Sequence, residues 1–89
     1  MARIAMSEIQ KAEIAAQLGA DEALFDLGLI YSTGRDVEQD LITAHKWFNL
    51  AALRGNSAAR DYRAEIAREL SSMEVAEAQR RAREWLHAH

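Results

Sequence analysis

One internal alignment constrains this chain more than any other feature. Residues 11–19, Lys-Ala-Glu-Ile-Ala-Ala-Gln-Leu-Gly, lie over residues 47–55, Trp-Phe-Asn-Leu-Ala-Ala-Leu-Arg-Gly, at a shift of 36 residues. The same shift carries Ala23 onto Ala59 and Ile30 onto Ile66. A period of this size suits one helical hairpin, and a single hairpin cannot bury its own apolar face. Units of this kind must stack. The 89 residues hold one full unit, 20–55, preceded by a half unit, 1–19, and followed by a half unit with a capping helix, 56–89.

Residue usage agrees with an all-helical chain. There is no proline, and Ala, Leu, Glu, Arg and Gln, all good helix formers, are abundant. Three of the four glycines, Gly19, Gly34 and Gly55, sit where helices would end, because glycine tolerates the left-handed conformation that closes a helix. They divide the chain into five helical segments joined by connections of two to six residues, so successive helices are expected to pack antiparallel.

The first segment covers roughly residues 4–18 and the second 20–33, with Ala23, Leu24, Leu27 and Tyr31 at helical spacing. Gly28 falls inside that pattern. A mid-helix glycine costs about 1 kcal/mol relative to alanine, so close approach of a neighbouring helix is the expected gain. Asp40 suits the N-cap of a third helix that would bury Leu41, Ala44, Phe48 and Ala51, with Trp47 and Ala52 beside them. Asn56 or Ser57 caps a fourth, carrying Ala59, Tyr62, Ile66 and Leu70. Ser71 and Glu74 form a capping box for a fifth, carrying Val75, Ala78, Ala82, Trp85 and Leu86.

Within the full unit, Ala23, Leu27-Gly28, Tyr31, Gly34, Val37, Asp40, Ala44, Trp47-Phe48, Ala51-Ala52 and Gly55 form a pattern that closely resembles the Sel-one-like repeat, a relative of the tetratricopeptide repeat. The flanks depart from it: Lys11 and Ala12 stand where Trp47 and Phe48 do, and Arg63-Ala64 where Leu27-Gly28 do. The resemblance implies a short α-solenoid of stacked antiparallel hairpins and a scaffolding role in which protein partners are bound. It also implies that the first helix of each hairpin lines a concave groove. That mapping places Glu22, Phe25, Leu29, Ser32 and Thr33 on the groove, and the 36-residue shift adds Asp61, Glu65 and Arg68. Phe25 and Leu29, four residues apart, would form one apolar spot ringed by acids, suited to a partner helix or extended segment carrying basic residues. The alternative is that the chain's own first or last helix covers them.

Charge is uneven. Residues 1–45 carry eight acids and three bases, and residues 46–89 six acids and eight bases, within a net charge of −3. The bases of the last helix, Arg80, Arg81 and Arg83, alternate with Glu74, Glu77 and Glu84, which reads as a solvated face with i,i+4 pairs such as Glu77–Arg81 and argues against nucleic acid.

No nucleophile lies beside a base and no glycine-rich phosphate loop is present, so neither catalysis nor a cofactor is expected. His45 has no carboxylate or cysteine at ligand spacing. His87 and His89 lie at a terminus, so no structural metal site is expected. Without cysteine there are no disulfides, and no apolar run approaches a membrane span, so the chain is expected to be cytoplasmic. The favoured reading is a protein-interaction adaptor. A permanent subunit of a larger assembly and a nucleic-acid-associated binder using the basic last helix are the alternatives, and self-association is open in each.

Overall fold

Each helix is opened or closed by a local device. The computed structural model describes residues 7–88. Helix α1 (Glu8–Gln17) starts at Ser7, whose hydroxyl accepts from the Gln10 amide while the Gln10 side chain accepts from the Ser7 amide. This Ser-x-x-Gln capping box is absent from the sequence reading. It sets the start of the helix at Glu8, and the expected start at Ile4 lies outside the described residues.

Helix α2 (Asp21–Thr33) ends at Gly34, whose φ of 74° is the left-handed conformation a glycine adopts without a Cβ clash. The loop after it is tied back on both sides. Gln39 Nε2 donates to the Ser32 carbonyl at 2.8 Å, and the Asp40 amide donates to the Tyr31 carbonyl at 3.0 Å.

Asp40 then caps α3 (Leu41–Leu53), accepting from the Thr43 amide at 3.1 Å and from the Thr43 hydroxyl at 2.8 Å. Asn56 caps α4 (Ser57–Ala67) through the Ala59 amide. The expected box of Ser71 and Glu74 opens α5 (Ser72–Ala88), with both reciprocal bonds made, at 3.1 and 2.8 Å. The described residues are all helix and connecting turn, stretched over 50 × 25 × 22 Å. This is a short helical solenoid.

Helix α3 is the spine. It packs against α2, α4 and α5. Helix α5 lies on α3, and α4, its neighbour in sequence, is not its main packing partner, so the expected antiparallel packing of successive helices does not extend to this pair. The physical reason lies in the large side chains: Trp85 reaches across to Trp47 of α3, edge to face, with ring centroids 5.8 Å apart.

Phe48, on α3, is fully buried. Its ring fills the space where a Cβ on Gly28 would lie, 2.5 Å from that position. The glycine inside α2 therefore permits the close approach that the sequence suggested, and the helix-propensity cost of about 1 kcal/mol is offset by the burial of an aromatic ring.

The core differs from the expected stripes in ways that follow from this layout. Because α3 has neighbours on several sides, it buries His45 and Leu50 as well as Ala44, Trp47, Phe48 and Ala51. Leu41 and Ala52, expected inside, are half-buried. Tyr62 is 40% exposed, since no described helix packs over its outer edge, and Leu86 is exposed to the same degree.

Candidate protein-interaction face

Two helices that are not consecutive in sequence, α2 and α4, present their side chains on the same side of α3. Phe25 of α2 and Tyr62 of α4 meet edge to face at 5.7 Å, and both rest on Phe48, at 5.6 Å and 5.2 Å. Phe48 and Tyr62 are stacked with only 14° between their planes. This three-ring cluster joins the two helices and fixes the floor of the face between them.

Phe25 and Leu29 are both half-buried against the core. Neither the first nor the last helix accounts for the Phe25 ring contacts, which come from Phe48 on α3 and Tyr62 on α4.

Beside the aromatic floor runs an open cleft of about 440 Å³. Ser32 of α2 forms one wall, Tyr62, Glu65 and Arg68 the other, with Gln39 and Leu41 at its end. Three of the expected groove residues, Ser32, Glu65 and Arg68, thus share one cleft. Glu22 does not join them and instead lines a separate cleft between α1 and α2, with Lys11 and Asp26. Asp61 is exposed on α4. Ser32 and Thr33 donate their hydroxyls to the Leu29 carbonyl, at 3.1 and 2.7 Å, which leaves their oxygen lone pairs as acceptors.

Sequence reasoning missed Tyr62, Gln39 and Leu41 as cleft residues. The 36-residue shift places Tyr62 opposite Asp26, so the repeat carries no hint of its role. Gln39 and Leu41 reach the cleft because the loop folds back onto α2.

The last helix neutralises much of its own charge. Arg80 bonds Glu77 and Glu84, and Arg81 donates to Glu77 at 2.7 Å. Those two guanidiniums draw the Glu77 carboxyl down to about 2. This is a solvated ion-pair ladder on one helix, the arrangement expected from the alternating charges. On α3, Lys46 lies 4.2 Å from the Trp47 ring centroid.

His45 is buried, 3% exposed, and its Nδ1 has no hydrogen-bond partner. Burial, and then the charge of Arg63 on α4, holds its pKa below the ordinary imidazole value. Arg63 itself donates to the Asn49 side chain at 2.6 Å. Among the described residues no group of His, Cys, Asp and Glu side chains is arranged to hold a metal ion; His89 lies outside them. No described helix is long and apolar enough to cross a membrane.

Residues 21–56 match the family model described as Sel1 repeat. The chain thus carries a Sel1 repeat over 36 of its 89 residues. Repeats of this family generally mediate protein–protein interaction, and proteins built from them are typically scaffolds, not enzymes. The matched span covers α2, α3 and the turn that leads to α4, which includes Gly28, Phe48 and the loop behind the cleft. No curated protein and no solved structure matches the chain.

Proposed function

We propose that this chain is an adaptor that holds a segment of a partner protein along the face shared by α2 and α4. The observation that carries the reading is the half-exposed Phe25–Tyr62 ring pair beside the cleft lined by Ser32, Glu65 and Arg68. Aromatic rings with one open edge supply large contact area at low conformational cost, and the acidic and basic side chains around them supply orientation. Glu22, Leu29, Thr33 and Asp61 extend the proposed face along the two helices. In this reading residues 20–55 are the complete repeat, 1–19 a half repeat, and 56–89 a half repeat with its capping helix. A sequence without cysteine suits a reducing, cytoplasmic setting.

The test is capture of partners from native lysate by the tagged chain, compared with Phe25→Ala/Leu29→Ala. Phe25 also supports the core through Phe48, so Glu65→Lys, at an exposed position, serves as the second variant, and circular dichroism checks folding for both. Loss of the same partner with both variants supports the groove. Retention by folded forms of both sinks it.

A second reading has its own support. Leu18 and Met73, each 82% exposed, and Leu53, 62% exposed, present large apolar side chains to solvent away from the cleft. A permanent subunit of a larger assembly would cover them. A partner retained by both cleft variants but lost on Leu18→Ser/Leu53→Ser would favour that role.

A further inference from the structure

A second cleft opens where the α2–α3 loop faces the turn between α4 and α5. It has a volume of about 670 Å³, within the usual range for sites that take a ligand side chain or small molecule. Its floor is apolar: Val37, Leu41, Ile42 and Leu70 are each half-buried, with Tyr31 beside them. Its rim carries four carboxylates, Glu38, Asp40, Glu69 and Glu74, and among the described residues no lysine, arginine or histidine lines it.

Two of those carboxylates are already engaged. Asp40 accepts from Thr43 at the start of α3, and Glu74 accepts from the Ser71 amide at the start of α5. Each sits at a helix N-terminus, where the amides balance its charge. Glu38 and Glu69 are different. Both are exposed, and neither side chain takes part in a hydrogen bond or ion pair among the described residues. The Arg81 guanidinium acts on Asp40 but is bonded to Glu77. Burial first, then the charges of Glu13 and Asp40, push the Tyr31 phenol up.

We propose that this cleft receives an arginine or lysine side chain from the partner protein, its methylene stem on the Val37–Leu41–Ile42–Leu70 floor and its cationic head between Glu38 and Glu69. The chemistry is that of a long amphipathic cation, which covers apolar surface with its stem and keeps its head among carboxylates. A peptide is the occupant because the cleft adjoins the first one: Gln39, Leu41 and Glu69 line both. An extended segment leaving the aromatic floor past these shared residues is led toward the acidic rim. This deepens the adaptor reading and rests on it for the peptide, but the charge selectivity of the cleft is testable alone.

The experiment is an amide chemical-shift titration of the full chain with acetyl-Ala-Arg-Ala-amide, and with the same peptide carrying citrulline, the neutral isostere of arginine. Saturable shifts at Tyr31, Val37, Ile42 and Leu70 with the arginine peptide, absent with citrulline, are expected. Glu38→Gln/Glu69→Gln, confined to exposed side chains, should weaken binding at least about tenfold while leaving the helical spectrum unchanged. Absence of saturable shifts with the arginine peptide, equal response to citrulline, or shifts spread evenly over the acids of α2 and α4 would overturn the proposal. The titration repeated in Glu65→Lys separates the two ideas, because saturation there supports the acidic cleft whatever the partner-capture experiment returns.

Discussion

Helices α3 and α5 lie side by side, joined by Trp47 and Trp85, yet they are held in place by different physics. Helix α3 has 13 residues and buries six of them, including Trp47, Phe48 and Leu50. Its position is decided by the helices around it. Helix α5 has 17 residues and buries only Ala78 and Ala82. Small residues let its backbone approach α3, and its outer surface carries the Glu77–Arg80–Glu84 and Glu77–Arg81 pairs. One helix depends on excluded water; the other is a solvated cover whose own side chains favour the helical state. A repeat array needs both kinds, an interior that cannot stand alone and an end that water tolerates.

The strongest way to break this contrast is Phe48→Ala. It removes the ring that fills the space at Gly28 and supports both Phe25 and Tyr62. The expected loss is about 3–5 kcal/mol, a large share of the total stability of a domain this size. Urea unfolding followed at 222 nm would measure it. A loss below about 1 kcal/mol would mean that α3 is not the spine, because a cavity of that size in a true core cannot close without cost.

The next test uses acid. Unfolded, His45 titrates near its ordinary value of about 6.5; folded, burial and Arg63 hold it lower. Between those values the unfolded chain binds more protons, so stability rises with pH there. The contribution is complete above about pH 6.5 and is lost as pH falls below it. The urea midpoint should therefore drop from pH 7.5 to pH 5.5, and His45→Gln should flatten that dependence. An unchanged slope in the variant would show that other groups carry it.

The smallest effect is expected on α5. Glu77→Gln removes the carboxylate that Arg80 and Arg81 share. The pairs are exposed and screened, so the melting temperature at pH 7 should barely move, and only in low salt. As the folded pKa of Glu77 is lowered to about 2, its contribution is present above the usual carboxylate range and fades as pH falls toward that value. A loss at pH 7 as large as that of Phe48→Ala would overturn the contrast between the two helices.

Much of the architecture was legible from the chain. Gly34, Asp40, Asn56 and the Ser71–Glu74 box all act where their residue types suggest, since a cap needs only partners three or four residues away. Gly28 was legible for a different reason: an unfavoured residue inside a strong helix implies a packing demand, and the Phe48 ring is that demand. The candidate face was less legible. Ser32, Glu65 and Arg68 were named from the repeat and line one cleft, while Glu22 lies in another. Tyr62 was read as an inward residue and is 40% exposed, because periodicity gives the phase of a helix but not which side of it lacks a neighbour. His45 was read only for metal chemistry, and its burial came from α3 being enclosed on more sides than one apolar stripe implies.

The sequence by itself determined the helical hairpin of α2 and α3, most of the places where helices begin and end, and the close contact at Gly28. These depend on backbone conformations and hydrogen bonds formed within a few residues, or on a disfavoured residue whose cost implies a packing demand. Only the tertiary structure decided that α5 lies on α3, that His45 is sealed without a partner for Nδ1, and that the α2–α3 loop meets the α4–α5 turn around an acidic cleft. Each of those results depends on which distant side chains exclude water from which face. That is a property of the assembled helices, not of any one segment.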